Sequence, residues 1–227
     1  MKSLGRFLSF LHIAENTEKG LLDKNRQYAD TVADKLEDKD VKAVNLMGAT
    51  GSGKTTLIEK TVEKMKDINI GVVAGDIDAD MDAERFKEKG LPVEAVNTGK
   101  ECHLDAHLVQ HAVEGLNLEE IDLLFFENVG NLICPVDFEL GSTARVVMVS
   151  TTEGDDVVEK HPMIFKTADL AVVNKSDIAE AVGSNLEKME KDAEEVGSCK
   201  ALTMSLKEEE NMEKWLNFLE QVVEGGN

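Results

Sequence analysis

Apolar residues recur along this chain in two rhythms. Over residues 1–40 they are spaced as on one face of a helix. Leu21, Leu22, Val32, Ala33 and Leu36 mark a rough stripe in a polar segment that ends in LEDKDVK. Beyond it the apolar residues gather into short blocks at 43–47 (AVNLM), 70–75 (IGVVAG), 121–128 (IDLLFFEN), 145–150 (RVVMVS) and 169–174 (DLAVVN), with a weaker block at 199–205 (CKALTMS). Blocks of this length, rich in valine and leucine and ending in polar loops, read as parallel strands buried on both faces. Helical stretches separate them. The pattern predicts an α/β fold with a doubly wound, mostly parallel sheet flanked by helices, and functional loops at the carboxyl ends of the strands.

The first of those loops carries chemistry. GATGSGKTT, residues 48–56, follows a strand and precedes a helical stretch, and it fits G-x-x-x-x-G-K-[ST]. Gly48, Gly51 and Gly53 let backbone N–H groups converge on phosphate oxygens, with Ser52 and Thr56 in the same cradle and a helix N-terminus behind it. Lys54 reaches the β- and γ-phosphates, and Thr55 can ligate magnesium. The base is read further along. NKSD, residues 174–177, follows the strand at 169–174. The carboxylate of Asp177 accepts from the N1–H and N2–H₂ of guanine, a donor pair that adenine lacks. Asn174 belongs to the same element, and the stem of Lys175 covers the ring. Ser205 and Leu206, in MSLK, stand where a further guanine loop is expected. The nucleotide is therefore GTP or GDP.

Asp76 and Glu127 fall at strand ends, where a carboxylate can hold Mg²⁺ or its waters. Asp82 lies in the loop expected to sense the γ-phosphate, while Asp78 and Asp80 read as solvated loop residues. Lys54, Asp76 and Glu127 form the candidate catalytic set. Asn131 follows Gly130, so no glutamine is available there to orient water. Slow hydrolysis is expected unless another group or subunit completes the site. Residues 41–227 thus read as a P-loop GTPase domain, behind an N-terminal helical extension at 1–40.

Composition narrows the partners. A formal net charge of −20 over 227 residues argues against nucleic acid, whose binding needs a basic face. No apolar stretch is long enough to span a bilayer, and no small-residue cleavage site follows the short apolar run near the N-terminus. The expectation is a cytoplasmic protein without a membrane partner. Three cysteines, an odd number, speak against a disulfide framework. Cys102 and His103 are adjacent in TGKECHLDAH, and Cys134 closes ENVGNLICP just past an apolar strand. On residue type alone they are metal ligands, a catalytic dyad or packing. Cys199 reads as a small core residue.

GSGKTT, GD…DAERF, TGKECHLDAH, ENVGNLICP, TEGDD, KHPMIFKTADL and NKSD occur in this order. In them the chain resembles the hydrogenase nickel-incorporation GTPases of the HypB type, in an archaeal version, a metal-chaperone branch of the P-loop GTPases. The resemblance covers nearly everything from 41 to about 175, and KWLNFLE fits the usual last helix. It implies a GTP-dependent homodimer that helps deliver nickel to [NiFe]-hydrogenase. A nickel-delivery partner of the HypA type and the hydrogenase large-subunit precursor would be the other proteins involved.

It also implies that Cys102, His103 and Cys134 are metal ligands. Two thiolates and an imidazole suit Zn²⁺ in a tetrahedral site or Ni²⁺ in a planar one, and three ligands leave either incomplete. His107 and His111 continue from His103 at helical spacing. His107 reads as a further ligand or as a dimer-facing helix side. Lys160 reads either as reaching the nucleotide of the other subunit or as a plain surface lysine. Unlike some bacterial members, the chain has no N-terminal cysteine motif or histidine-rich stretch; it also departs from the family pattern at Ser142, where an acidic residue is expected, and at Ser176, where isoleucine is common. The alternatives are a urease-type nickel-maturation GTPase, a small-molecule kinase, and a nucleotide-gated metal-binding module with negligible catalysis.

Overall fold

The computed structural model describes residues 2–76, 80–99 and 101–225. In chain order the elements are α1 (Lys2–Glu37), β1 (Lys42–Gly48), α2 (Lys54–Lys64), β2 (Ile70–Asp76), α3 (Asp80–Glu88), β3 (Val93–Asn97), α4 (Ala106–Gly115), β4 (Leu123–Gly130), β5 (Ala144–Ser150), α5 (Val157–Lys160), α6 (Pro162–Lys166), β6 (Leu170–Asn174), α7 (Ala179–Val182), α8 (Leu186–Glu195), β7 (Lys200–Thr203) and α9 (Met212–Val223). The strands form one sheet in the order β3-β2-β4-β1-β5-β6-β7, and every neighbouring pair runs parallel.

Successive strand residues alternate between two buried faces. Val44, Leu46 and Phe125 face a cluster completed by Leu57 and Ile58 of α2, Phe86 of α3 and Trp215 of α9. Ala43, Leu124 and Phe126 face the opposite layer, where Val32 and Leu36 of α1 meet Val109 and Val113 of α4. A third cluster joins Val147 and Val149 of β5 to Phe165 and Met189. With helices on both faces, both residues of each apolar pair are covered, which is why the blocks read as continuous rather than alternating. The Trp215 Nε1–H donates to Thr61 Oγ1 at 2.8 Å and ties the last helix to α2.

The five stronger strands and the weaker seventh lie where the apolar blocks put them, within a few residues. β3 is the strand that the hydrophobic pattern did not reveal. It pairs only with β2 at the edge of the sheet, its residues Val93, Glu94 and Ala95 are half-buried, and Glu94 interrupts the apolar run. The chain reverses its direction of winding across the sheet at β1, so the loop after β1 opens at the topological switch point where α/β proteins bind ligands. Among the described residues no helix is long and apolar enough to cross a membrane. Asp78 and the side chain of Asp80 lie outside the described residues.

Candidate functional site

At the switch point the phosphate loop turns tightly from β1 into α2. Gly48 has φ +152°, and a Cβ there would collide with the carbonyl of Met148. Gly53 has φ +111°, and its Cβ would stand 2.6 Å from Asn174 Nδ2. Neither position has room for a side chain. α2 then begins at Lys54, whose Nζ donates to the carbonyls of Gly48 (3.2 Å) and Ala49 (3.1 Å). Burial lowers the Lys54 pKa, against the pull of Glu127, Asp76 and Asp82.

Opposite Lys54 stands Glu127 of β4, 4% exposed. Its Oε1 accepts from Thr55 Oγ1 at 2.6 Å, and its Oε2 is buried without a hydrogen-bond partner among the described residues. Burial pushes its pKa up to about 7, although Thr55 and Lys54 both favour the charged form. Asp76 closes β2 beside it, and Asp82 follows on α3. Arg85 reaches the same cleft from α3. It lies 3.4 Å from Asp82 and is held on the far side by Glu59 (Nη2 to Oε2, 2.6 Å).

The other end of the cleft is a closed hydrogen-bond net. Asn174, 3% exposed, donates to the Ser52 carbonyl (2.8 Å) and accepts from the Leu206 N–H (3.2 Å). Lys175 adopts φ 64°, which turns the chain so that its carbonyl accepts from Thr151 Oγ1 at 2.9 Å. Asp177 Oδ1 accepts from the buried Ser205 hydroxyl (2.7 Å), and Lys207 stands 3.7 Å from its Oδ2. The cleft between the two ends has a volume of about 790 Å³, within the range of small-ligand sites. Gly51, Gly53, Thr55, Thr56, Lys175 and Leu206 line it together with the charged groups above. Gly48, Ser52 and Ser205 lie behind that lining. Ser205 acts on Asp177 through its side chain. Lys160 is apart from the cleft, exposed and paired with Asp156 at 2.6 Å.

Cys102, His103 and Cys134 meet at a second centre, their ligand atoms all within 4.8 Å of one another. Cys102 Sγ is 4.0 Å from His103 Nδ1. His103 is buried with its ring against Phe138, centroids 3.8 Å apart, and burial lowers its pKa, which favours the neutral imidazole a metal needs. The Cys134 thiol and partial burial push Cys102 up. Two sulfurs and an imidazole nitrogen form a soft donor set suited to nickel or zinc. His107 is not brought to this cluster. Its Nε2 lies 3.2 Å from His111 Nε2, and its ring packs on Tyr28. Cys199 is buried in the core.

Several structural roles here escaped the sequence reading. Asn128 Oδ1 accepts from the Leu104 N–H (3.0 Å), and Asn131 Nδ2 donates to the Cys102 carbonyl (3.1 Å). Arg145 Nη2 donates to the carbonyls of Pro135 (3.1 Å) and Val136 (3.3 Å) and so holds the turn that bears Cys134. An arginine opening a valine-rich strand was the one visible sign of this. Arg85 could have been suspected from its three-residue spacing to Asp82.

Residues 42–203 match the family model described as "CobW/HypB/UreG, nucleotide-binding domain". A probable hydrogenase maturation factor HypB from Methanocaldococcus jannaschii is 54% identical over 207 residues, covering 90% of this chain and 94% of its own. The crystal structure of hydrogenase maturation factor HypB from Archaeoglobus fulgidus superposes with a TM-score of 0.84 at 49% identity, covering 88% of this chain and 99% of that one. That of HypB from Helicobacter pylori in complex with nickel also gives 0.84, at 33% identity, with coverage of 90% and 97%. With a parallel P-loop GTPase-type sheet, a phosphate loop at its switch point and these similarities along most of its length, the chain belongs to the HypB hydrogenase maturation factors of the CobW/HypB/UreG family.

Proposed function

We propose that this chain is a slow GTPase that carries nickel, or zinc in the same site, during maturation of [NiFe]-hydrogenase, in the cytoplasm and as a GTP-dependent homodimer. The observation that carries the reading is the adjacency of two sites of different chemistry: a phosphate-loop cleft with the Asp177 carboxylate at one end and Glu127 of β4 at the other, and a Cys102–His103–Cys134 cluster whose Cys134 follows that same strand. Lys54 and the loop N–H groups would hold the β- and γ-phosphates. Asp177, oriented by Ser205, would accept from guanine. Thr55, Glu127 and Asp76 would hold Mg²⁺. The buried Oε2 of Glu127, without a hydrogen-bond partner among the described residues and beside the Thr55 hydroxyl, fits that ion, and hard oxygen donors are what it prefers. When bound, it would supply charge neutralisation to the phosphates.

In this reading residues 1–40 form a helical extension to the GTPase domain at 41–227. Two chains would complete the three-ligand centre by pairing across it, with the 65% exposed Ile133 beside Cys134 covered in the dimer. Lys160 would contact the partner's nucleotide, and His107 would add a ligand if the paired arrangement turns it inward. A HypA-type protein would supply the nickel and the hydrogenase large-subunit precursor would receive it.

Calorimetric titration tests the reading. GTP and GDP should bind far more tightly than ATP, and about one Ni²⁺ or Zn²⁺ should bind per chain in competition with thiol alkylation. Sedimentation should show dimers with a non-hydrolysable GTP analogue. Equal affinity for ATP, or full metal binding after alkylation of Cys102 and Cys134, would refute it.

A further inference from the structure

We infer that Asn131 is the positioning residue through which the phosphate loop sets the place of Cys102 and Cys134. The inference rests on the proposed reading of the two sites and names the connection between them.

Asn131 bonds to three segments at once. Its N–H donates to the carbonyl of Gly48, the first residue of the phosphate loop, at 3.0 Å. Its Nδ2 donates to the carbonyl of Cys102 at 3.1 Å. Its Oδ1 accepts from the N–H of Ile133 at 2.8 Å, one residue before Cys134. The Gly48 carbonyl is also where Lys54 Nζ rests, at 3.2 Å. A carbonyl oxygen has two lone pairs, and here one serves the lysine and the other Asn131. When Lys54 turns to a phosphate oxygen, the balance on that carbonyl changes, and the residue that feels it is Asn131.

The surroundings decide what moves. Leu104 is fixed to the buried Asn128, and Pro135 and Val136 are fixed to Arg145 of β5. The metal segments are therefore anchored on their far sides to the sheet. Their near ends, Cys102 and Ile133, hang on Asn131, next to the Thr98–Glu101 turn and the Val136 N–H that donates to the Ile133 carbonyl. A small displacement of Asn131 would change the separation of the two sulfurs while leaving His103 in place. That alters the grip on a cation without dismantling the centre.

The local alternative is that Asn131 merely shapes the 131–133 turn through its Oδ1. Two variants separate the possibilities, because both keep the backbone N–H bonded to Gly48. Asn131→Ala loses both side-chain bonds. Asn131→Asp keeps the acceptor for Ile133 but cannot donate to Cys102. Ni²⁺ is titrated into the full chain saturated with GDP or with a non-hydrolysable GTP analogue, so that nucleotide affinity does not enter the ratio. The rate of alkylation at Cys102 and Cys134 is also followed in metal-free protein under the same two conditions. The wild type should show a ratio of nickel affinities of at least about 5-fold, at the low end for coupled sites. A neutral hydrogen bond is worth about 2- to 12-fold, so both variants should bring the ratio to within about twofold of unity. The difference in cysteine alkylation should shrink with it. A ratio that persists in both variants overturns the tether and leaves the two-site reading standing. Loss in Asn131→Ala but not in Asn131→Asp also overturns it, in favour of turn shaping. A wild type with no ratio overturns both.

Discussion

Asn174 and Asn131 both stitch the phosphate loop to a second segment, and they do so in different surroundings. Asn174 is 3% exposed and bonds to the Ser52 carbonyl and the Leu206 N–H inside a net that also contains Ser205 and Asp177. Asn131 is half-buried, and the next residue but one, Ile133, is 65% exposed. A buried polar group that loses its partner has no water to replace it, at a cost of about 1–3 kcal/mol. A half-buried one can trade its partner for solvent at little cost. The Asn174 end of the cleft is therefore built to stay as it is, and the thiol end is built so that its geometry can change. That fits the proposed guanine pocket on one side and the proposed site of a transferable metal on the other.

The sharpest way to break the guanine end is Asp177→Asn. The carboxylate already uses Oδ1 on Ser205, so the amide would turn its N–H₂ toward guanine's own donors. Two hydrogen bonds to a charged group, at about 1.5–3 kcal/mol each, would be lost, and GTP affinity should fall by roughly 10²–10⁴-fold. Xanthosine triphosphate should recover part of it. Unchanged GTP binding would show that Asp177 does not read the base.

At the thiol end the matching change is Cys134→Ala. Partners outside the inner ligand set cost 10–100-fold in metal affinity when removed, so loss of a ligand itself should cost on the order of 100-fold or more. Guanine nucleotide affinity should stay at the wild-type level. A large fall in GTP affinity would mean that the two ends are not separable in the way their hydrogen bonds suggest.

Between them, Glu127→Gln probes the junction. In metal-free, nucleotide-free protein the folded state keeps the Glu127 proton up to about pH 7, whereas the unfolded chain releases it near 4.5. Folding takes up a proton in that window, so this group makes the protein more stable as pH falls from 7 toward 4.5, and its cost is fully present above 7. Glutamine removes that cost. The variant should gain stability at pH 8, by up to about 3 kcal/mol, with little gain at pH 4.5. Chemical denaturation at both pH values measures it. An equal gain at both would assign the effect to packing.

The smallest change expected is at Lys207, 75% exposed and 3.7 Å from Asp177. Lys207→Ala should weaken GTP binding by at most about 1 kcal/mol, as for other exposed ion pairs, and the effect should fade in high salt. A larger, salt-insensitive loss would place Lys207 on the nucleotide itself.

Much of this was legible beforehand, for reasons that also explain the gaps. GATGSGKTT and NKSD are local, because their side chains and glycines work within a few residues of one another, and the valine-rich strands announce their own burial. β3 was missed because an edge strand with Glu94 in it need not be apolar. Asn128, Asn131 and Arg145 were missed as structural links because each bonds to a segment at least 9 residues away. Nothing in a run of sequence marks a buried asparagine that caps a distant loop. Cys102 and His103 are neighbours in the chain and were visible as a pair, but their union with Cys134 depended on two loops folding back to one place and was expected only from the family resemblance.

If the cleft and the thiol cluster form one device, the dissociation constant of wild-type chain for Ni²⁺ should depend on the bound nucleotide. Measured with bound GDP and with a bound non-hydrolysable GTP analogue, nucleotide occupancy being verified in each case, the two constants should differ by about 5-fold or more, and nickel should shift the relative affinity for the two nucleotides by the same factor. Identical constants in the two states would mean two neighbouring, independent sites.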